Sequence, residues 1–248
     1  MKQILHKILN KKTNIFTGFS YLFYNSKRNW SPPVVDNFDE IIINHIQPKN
    51  EFTFIQIGSN NGMSNDPLYD YIKKNKCKGV LIEPVSYLFK QLIANYKGVE
   101  GVYFENIAVS NTNSEKEFYI IKESDDDSLP IWYNQISSFK LETILTHKDY
   151  IPNIEQLITK QITPTITFHS IIEKYKFDEL DILTIDTEGY DFEIIKTINF
   201  NVITPSVLIF ENKHLTKSDY KKCLKIMKKH YLSIKENLTG DTICYDIR

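Results

Sequence analysis

Residues Phe52 to Asn65 read FTFIQIGSNNGMSN, and how this stretch folds decides the architecture. Phe52, Phe54, Ile55 and Ile57 make an apolar run of strand length, and aromatic and β-branched residues suit a strand covered on both faces. The run stops at Gly58. Gly58 and Gly62 bracket Ser59, Asn60 and Asn61, residue types that tolerate a left-handed backbone or a close approach of main chain to a ligand. Asp66 and Pro67 then read as the N-cap and first residue of a helix whose buried stripe is Leu68, Tyr71 and Ile72. After this strand, loop and helix comes Gly79 to Glu83, GVLIE. It is a second short apolar strand, closing on a carboxylate where a nucleotide-binding βαβ unit carries its ribose-binding acid.

A dinucleotide fingerprint requires G-x-G-x-x-G, and the loop offers only Gly58 and Gly62, so a pyrophosphate cradle is poorly matched. A ligand lacking the pyrophosphate needs fewer glycines. S-adenosylmethionine is such a ligand, and Glu83 has acceptor oxygens for both of its ribose hydroxyls. The plainer reading of the stretch is a glycine turn in any α/β protein.

The 248 residues allow one large α/β domain with an extension, and 42% hydrophobic with 25% charged residues are globular values. A formal net charge of -1 supplies no field that draws the chain to nucleic acid or an anionic membrane. Cys77, Cys223 and Cys244 lack metal-ligand spacing, which fits reduced thiols and a cytosolic home. Lysines interrupt the apolar pairs of MKQILHKILNKKTN, so a signal-peptide core and a membrane span are not expected.

Residues 1–50 read as an extension: an amphipathic helix on Ile4, Leu5, Ile8 and Leu9, an aromatic piece from Phe16 to Trp30, and a helix over Asp36 to Ile46. Residues 51–248 then alternate strand and helix. A crossover helix on Leu88, Phe89, Leu92, Ile93 and Tyr96 leads to a third strand, Gly101 to Glu105. From 111 to 163 the pattern loosens into a strand around Phe118, an acidic loop ESDDD, the small polar residues of QISSF, and short helices at Leu141 to Leu145 and Ile154 to Ile158. Such an insertion near strand tips is where substrate contacts usually sit. Alternation resumes with a helix from Phe168 to Tyr175, the strand DILTID (Asp181 to Asp186), a helix on Phe192, Ile194, Ile195 and Ile198, and the strand PSVLIFE (Pro205 to Glu211). Thr216 with Asp219 opens a helix in capping-box style, and a β-hairpin split by Gly240 closes the chain.

Glu83, Asp186 and Glu211 each end a strand. In an open α/β sheet the ligand crevice lies outside the carboxyl ends of the strands, so three such acids beside a glycine loop converge on one site. The pieces QIGSNNG, LIEPV, NIAVS, ISSF, DILTIDTEGYDFEIIK and VLIFE, in this order, resemble the FkbM family of S-adenosylmethionine-dependent methyltransferases, DILTIDTEGYDFEII being the most specific part. The resemblance implies a class I methyltransferase fold: a Rossmann-like, doubly wound α/β sheet of seven strands, the last antiparallel. It also implies O-methylation of a hydroxyl on a sugar, glycan or small-molecule acceptor. Carried onto this sequence, it assigns Gly58, Ser59, Asn60 and Gly62 to the cofactor loop, Glu83 to the ribose, Asn106 and Ala108 to the adenine-side turn, and Asp186 with Glu188 to the region facing the donor methyl. Gln56 departs from the family, where an acid commonly precedes the loop and meets the amino end of methionine. Asn212 departs too, where a histidine is common, with His214 two residues later.

Methyl transfer is an in-line displacement at an already activated carbon, so alignment supplies much of the rate. A hydroxyl acceptor still needs a base or a divalent cation. Asp186 is the first candidate for base or metal ligand, with Glu188, Glu211 and His214 beside it. An all-oxygen set suits magnesium, and equally serves as a hydrogen-bonding cage. Two other classes compete: a nicotinamide-dependent oxidoreductase, disfavoured by the missing third glycine and the closing hairpin, and a binding module that keeps the fold without the chemistry.

Overall fold

The computed structural model describes residues 51–246. The helices expected at Ile4 to Leu9 and Asp36 to Ile46, and the aromatic piece between them, lie outside the described residues.

Seven strands form one sheet: β1 (Phe52–Ile57), β2 (Cys77–Ile82), β3 (Val102–Glu105), β7 (Ile182–Ile185), β8 (Val207–Glu211), β9 (Ser233–Glu236) and β10 (Asp241–Tyr245), in the spatial order β3-β2-β1-β7-β8-β10-β9. β3, β2, β1, β7 and β8 are parallel, and β10 runs antiparallel to both β8 and β9. The strand order reverses beside β1, between β2 and β7. In a doubly wound sheet a ligand crevice opens at that point.

Period-two alternation builds the two faces. Ile55, Ile57, Val80, Ile82, Leu183, Ile185, Leu208 and Phe210 meet one core with α5 (Phe168–Tyr175), α6 (Asp191–Ile195) and α7 (Lys217–Met227). Phe52, Phe54, Leu81, Ile182, Val207 and Ile209 meet the other, where Ile72 of α1 (Tyr69–Lys74) and Leu92 of α2 (Ser86–Asn95) pack. These strands are apolar throughout because both faces are covered. Gly79 is part of that packing, since a Cβ there would lie 2.1 Å from the Phe54 ring.

Between β3 and β7 the chain builds a smaller sheet, β4 (Ala108–Val109), β6 (Ile158–Ile166) and β5 (Ser114–Ile121), with β5 antiparallel and β4 parallel to β6. Helices α3 (Leu141–Leu145) and α4 (Ile154–Leu157) close a local core of Ile121, Ile136, Ile144, Ile151 and Ile154. Phe118 and its partly buried neighbour Phe139 tie this piece to Leu88 of α2.

Two expectations need correction. The first helix begins at Tyr69 rather than Pro67; Asp66 instead accepts the Leu68 amide at 2.8 Å in the turn before it. Strand β6 is the other departure from expectation. Ile158, assigned to the end of a helix, is its first residue, and the alternation of buried Thr163 and Thr165 carries no apolar signal. The capping box is present: Thr216 Oγ1 accepts the Asp219 amide at 3.1 Å.

Candidate functional site

The first half of the site is the end of β1 and β2. Ser59 Oγ donates to the Gln56 carbonyl and accepts the Ile82 amide, each at 3.0 Å, which locks the loop onto β2. Gly58 has φ +81°, and a Cβ on it would lie 1.8 Å from the Asp186 carbonyl oxygen, so the loop can cross β7 only as glycine. Gly62, at φ +67°, is pressed instead against Leu92 of α2 and Tyr96 just after it. Asn60 takes a left-handed backbone (φ 53°), and its amide donates to Glu83 Oε2 at 2.8 Å while Val85 donates to Oε1 at 2.8 Å. Each oxygen keeps a further acceptor position. Glu83 is 3% exposed, and burial pushes its pKa up to about 7 against the pull of those two amides.

Gln56 donates through Nε2 to Asp66 Oδ2 at 3.2 Å, while its Oε1 is buried without a partner. Burial raises Asp66 to about 6. Asn106 holds the backbone rather than the cavity: its Nδ2 donates to the Glu83 carbonyl at 2.8 Å. Ala108 follows at the cavity wall.

The second half is the end of β7 and β8. Glu188 is held in the left-handed region (φ 50°), an uncommon state for a non-glycine residue, and Gly189 follows at φ 92°. Ser138 Oγ donates to the Glu188 carbonyl at 2.8 Å and Lys140 Nζ to the Gly189 carbonyl at 2.6 Å, so the end of QISSF and the lysine after it clamp this turn. His214 Nε2 lies 3.0 Å from Glu188 Oε2 and 3.8 Å from Glu211 Oε1. Burial alone would raise Glu188, yet His214 overcomes it and holds the carboxyl below its usual range. Glu211 is driven well upward by burial and then by Glu188 and Asp186. Asp186 is also driven well upward, by burial and then by Glu188 and Asp191, although the residue is exposed at the cavity. Neighbouring carboxyls pushed apart in this way are the usual sign of a worked site. His147, which the sequence reading did not single out, packs its ring 5.3 Å from that of His214, and burial lowers its pKa to about 4.

A cavity of about 590 Å³ joins the two halves. Gln56, Gly58, Ser59, Asn60, Glu83, Ala108, Asp186 and Glu188 line it; Gly62, Asn106, Glu211 and His214 do not. The sequence reading missed Asp66, which it took only as a cap, and Asp241, which sits in the closing hairpin after Gly240 and lines the cavity. Five acidic residues (Asp66, Glu83, Asp186, Glu188 and Asp241) thus line one space together with Gln56, whose Oε1 is unpartnered. Such a lining suits a cationic guest with donor groups. S-adenosylmethionine, with its sulfonium, ammonium and ribose hydroxyls, fits the donor set.

A family model described as the Methyltransferase FkbM domain matches residues 56–232, well over half of the chain. Solved methyltransferase structures are distantly similar, two of them as follows. One is a methyltransferase FkbM from Methylobacillus flagellatus KT, with a TM-score of 0.45 and 11% identity over 78% of this chain and 43% of that one; this chain thus spans less than half of its length. The other is an O-methyltransferase from Bacillus cereus in complex with SAH, with a TM-score of 0.43 and 10% identity over 93% of this chain and 90% of that one. No curated protein matches. The strand order, the glycine loop crossing β7 and the family match together place this chain in the FkbM family of S-adenosylmethionine-dependent methyltransferases.

Proposed function

We propose that the chain methylates a hydroxyl oxygen on a sugar, glycan or small-molecule acceptor, at the tip of β7. When bound, the cofactor supplies a methyl on a positively charged sulfur, and the protein supplies position, charge and a proton acceptor. In this reading Glu83 takes the ribose hydroxyls and Ala108 flanks the adenine. Gln56 Oε1 and Asp66 take the ammonium end, in place of the acid that commonly precedes the loop. Asp186 holds the acceptor hydroxyl and takes its proton. A carboxyl whose pKa burial and neighbouring acids push well up is a stronger base than a free one, which supports that role. Glu188, kept ionised beside His214, and the buried Glu211 fix the field around it.

The 111–163 segment is then the acceptor wall. Gln135 and Ser137 line the cavity between Phe118 and Phe139, a mixture of small polar and aromatic surface that suits a hydroxylated ring. Three buried free thiols suit a reducing cytosol, and among the described residues no helix is long and apolar enough to cross a membrane.

The observation that carries this reading is the arrangement of Glu83 and Asp186 on one cavity, with the glycine loop between them. The test is product mass analysis: extracts of the source cell incubated with enzyme and S-adenosylmethionine gain one CH₂ on a hydroxylated compound, and Asp186→Asn abolishes the gain. A methylated amine or carbon, or undiminished product from Asp186→Asn, overturns it.

A further inference from the structure

A second constellation shares Glu188 with the carboxyl cluster and adds two histidines that the proposed methyl transfer does not use. His147 comes two residues after α3, Glu188 lies in the turn after β7, and His214 lies beyond β8. One ligand atom from each lies within 4.8 Å of the others. His147 is 6% exposed, and the side chains of His214 and Glu188 are 8% and 15% exposed. His147 Nε2, His214 Nε2 and Glu188 Oε2 are all buried, and none makes a hydrogen bond. The 3.0 Å approach of His214 Nε2 to Glu188 Oε2 does not have hydrogen-bond geometry. Glu211 Oε2 is unbonded as well. Buried polar atoms nearly always find partners, and four orphans gathered from three separate segments call for a common one.

We propose that His147, Glu188 and His214 bind a divalent transition-metal ion of the zinc class, with Glu211 beside them as a fourth donor. Ligands about 2.0–2.2 Å from one ion hold their donor atoms roughly 3 to 3.5 Å apart, and His214 and Glu188 already stand at 3.0 Å. Two imidazoles with carboxylates select zinc, cobalt or iron(II) over magnesium, which takes oxygen ligands. Trp132, its ring 5.4 Å from that of His147, walls one side. The ion ties the His147 segment to the tips of β7 and β8. The site stands whether or not the acceptor is a hydroxyl.

The test is a titration of metal-stripped full chain with cobalt(II), followed by visible absorption. One ion per chain is expected, and zinc displaces it. His147→Ala and His214→Ala each weaken binding at least tenfold, whereas Glu83→Ala leaves it unchanged. His147→Cys gains a near-ultraviolet thiolate-to-cobalt band that the folded wild-type chain, with its three thiols buried, lacks, and circular dichroism shows that the variant stays folded. Absence of cobalt binding in the stripped wild-type chain overturns the site, as does equal affinity in His147→Ala or a His147→Cys spectrum without the band. Titrating S-adenosylhomocysteine in parallel separates this outcome from failure of the cofactor reading.

Discussion

The Glu83 carboxylate bridges two amides that the sequence keeps apart, Asn60 across the glycine loop and Val85 at the start of α2, each at 2.8 Å. The acid therefore shapes the loop as well as facing the cavity. Removing it leaves two donors without their acceptor and takes the ribose contact away. Glu83→Ala lowers affinity for S-adenosylhomocysteine by more than about tenfold, since a lost charge-assisted hydrogen bond costs roughly 1.5–3 kcal/mol. Isothermal calorimetry reads it.

Gly58→Ala collides with the Asp186 carbonyl, 1.8 Å from the new Cβ, and also demands a positive φ of a residue that resists it. The left-handed backbone alone costs about 1–3 kcal/mol, and the clash adds to this by pushing the loop off β7. Chemical denaturation of the variant measures the loss; stability equal to wild type would contradict the packing described.

Glu83 and Asp66 also set a pH trend. Burial lifts their folded pKa values above the ordinary 4.5 and 3.8, to about 7 and about 6. Between those limits the folded state binds more protons than the unfolded one, so their contribution to stability is full at low pH and declines as pH rises toward 7. Glu83→Gln flattens that decline in denaturation curves taken across the range, and an unchanged slope counts against a buried, raised Glu83.

Ser138 is fully buried and holds the Glu188 carbonyl. Ser138→Ala leaves that carbonyl without its side-chain donor and costs about 1–3 kcal/mol. Because Glu188 is held in a strained backbone, turnover falls more than cofactor affinity does. A matched fall in both would assign Ser138 to general stability only.

Much of this was legible in the sequence. Strand β1, the loop and Glu83 were readable because buried parallel strands are apolar throughout and a glycine stop is abrupt. Asp186 and Glu211 were readable because each ends such a strand. β6 was not, since its inward residues are Thr163 and Thr165 and Pro164 interrupts it. Asp66, Asp241 and His147 were not either: each looks locally like a cap, a turn or a helix-end residue, and only long-range pairing brings them to the cavity or to Glu188. The role of Asn106 in bracing the Glu83 carbonyl likewise depends on a contact 23 residues away.

Asp186→Asn separates binding from chemistry. The substitution keeps the shape of the side chain and removes its basicity, so S-adenosylhomocysteine still binds while turnover is lost. Retained activity would take Asp186 out of the proposed mechanism.

The most direct measurement is a calorimetric titration of S-adenosylhomocysteine into wild-type chain and Glu83→Ala side by side. One site per chain in the wild type, weakened at least about tenfold by the substitution, is the expected result; no heat in the wild type, or equal affinity in both, would contradict it.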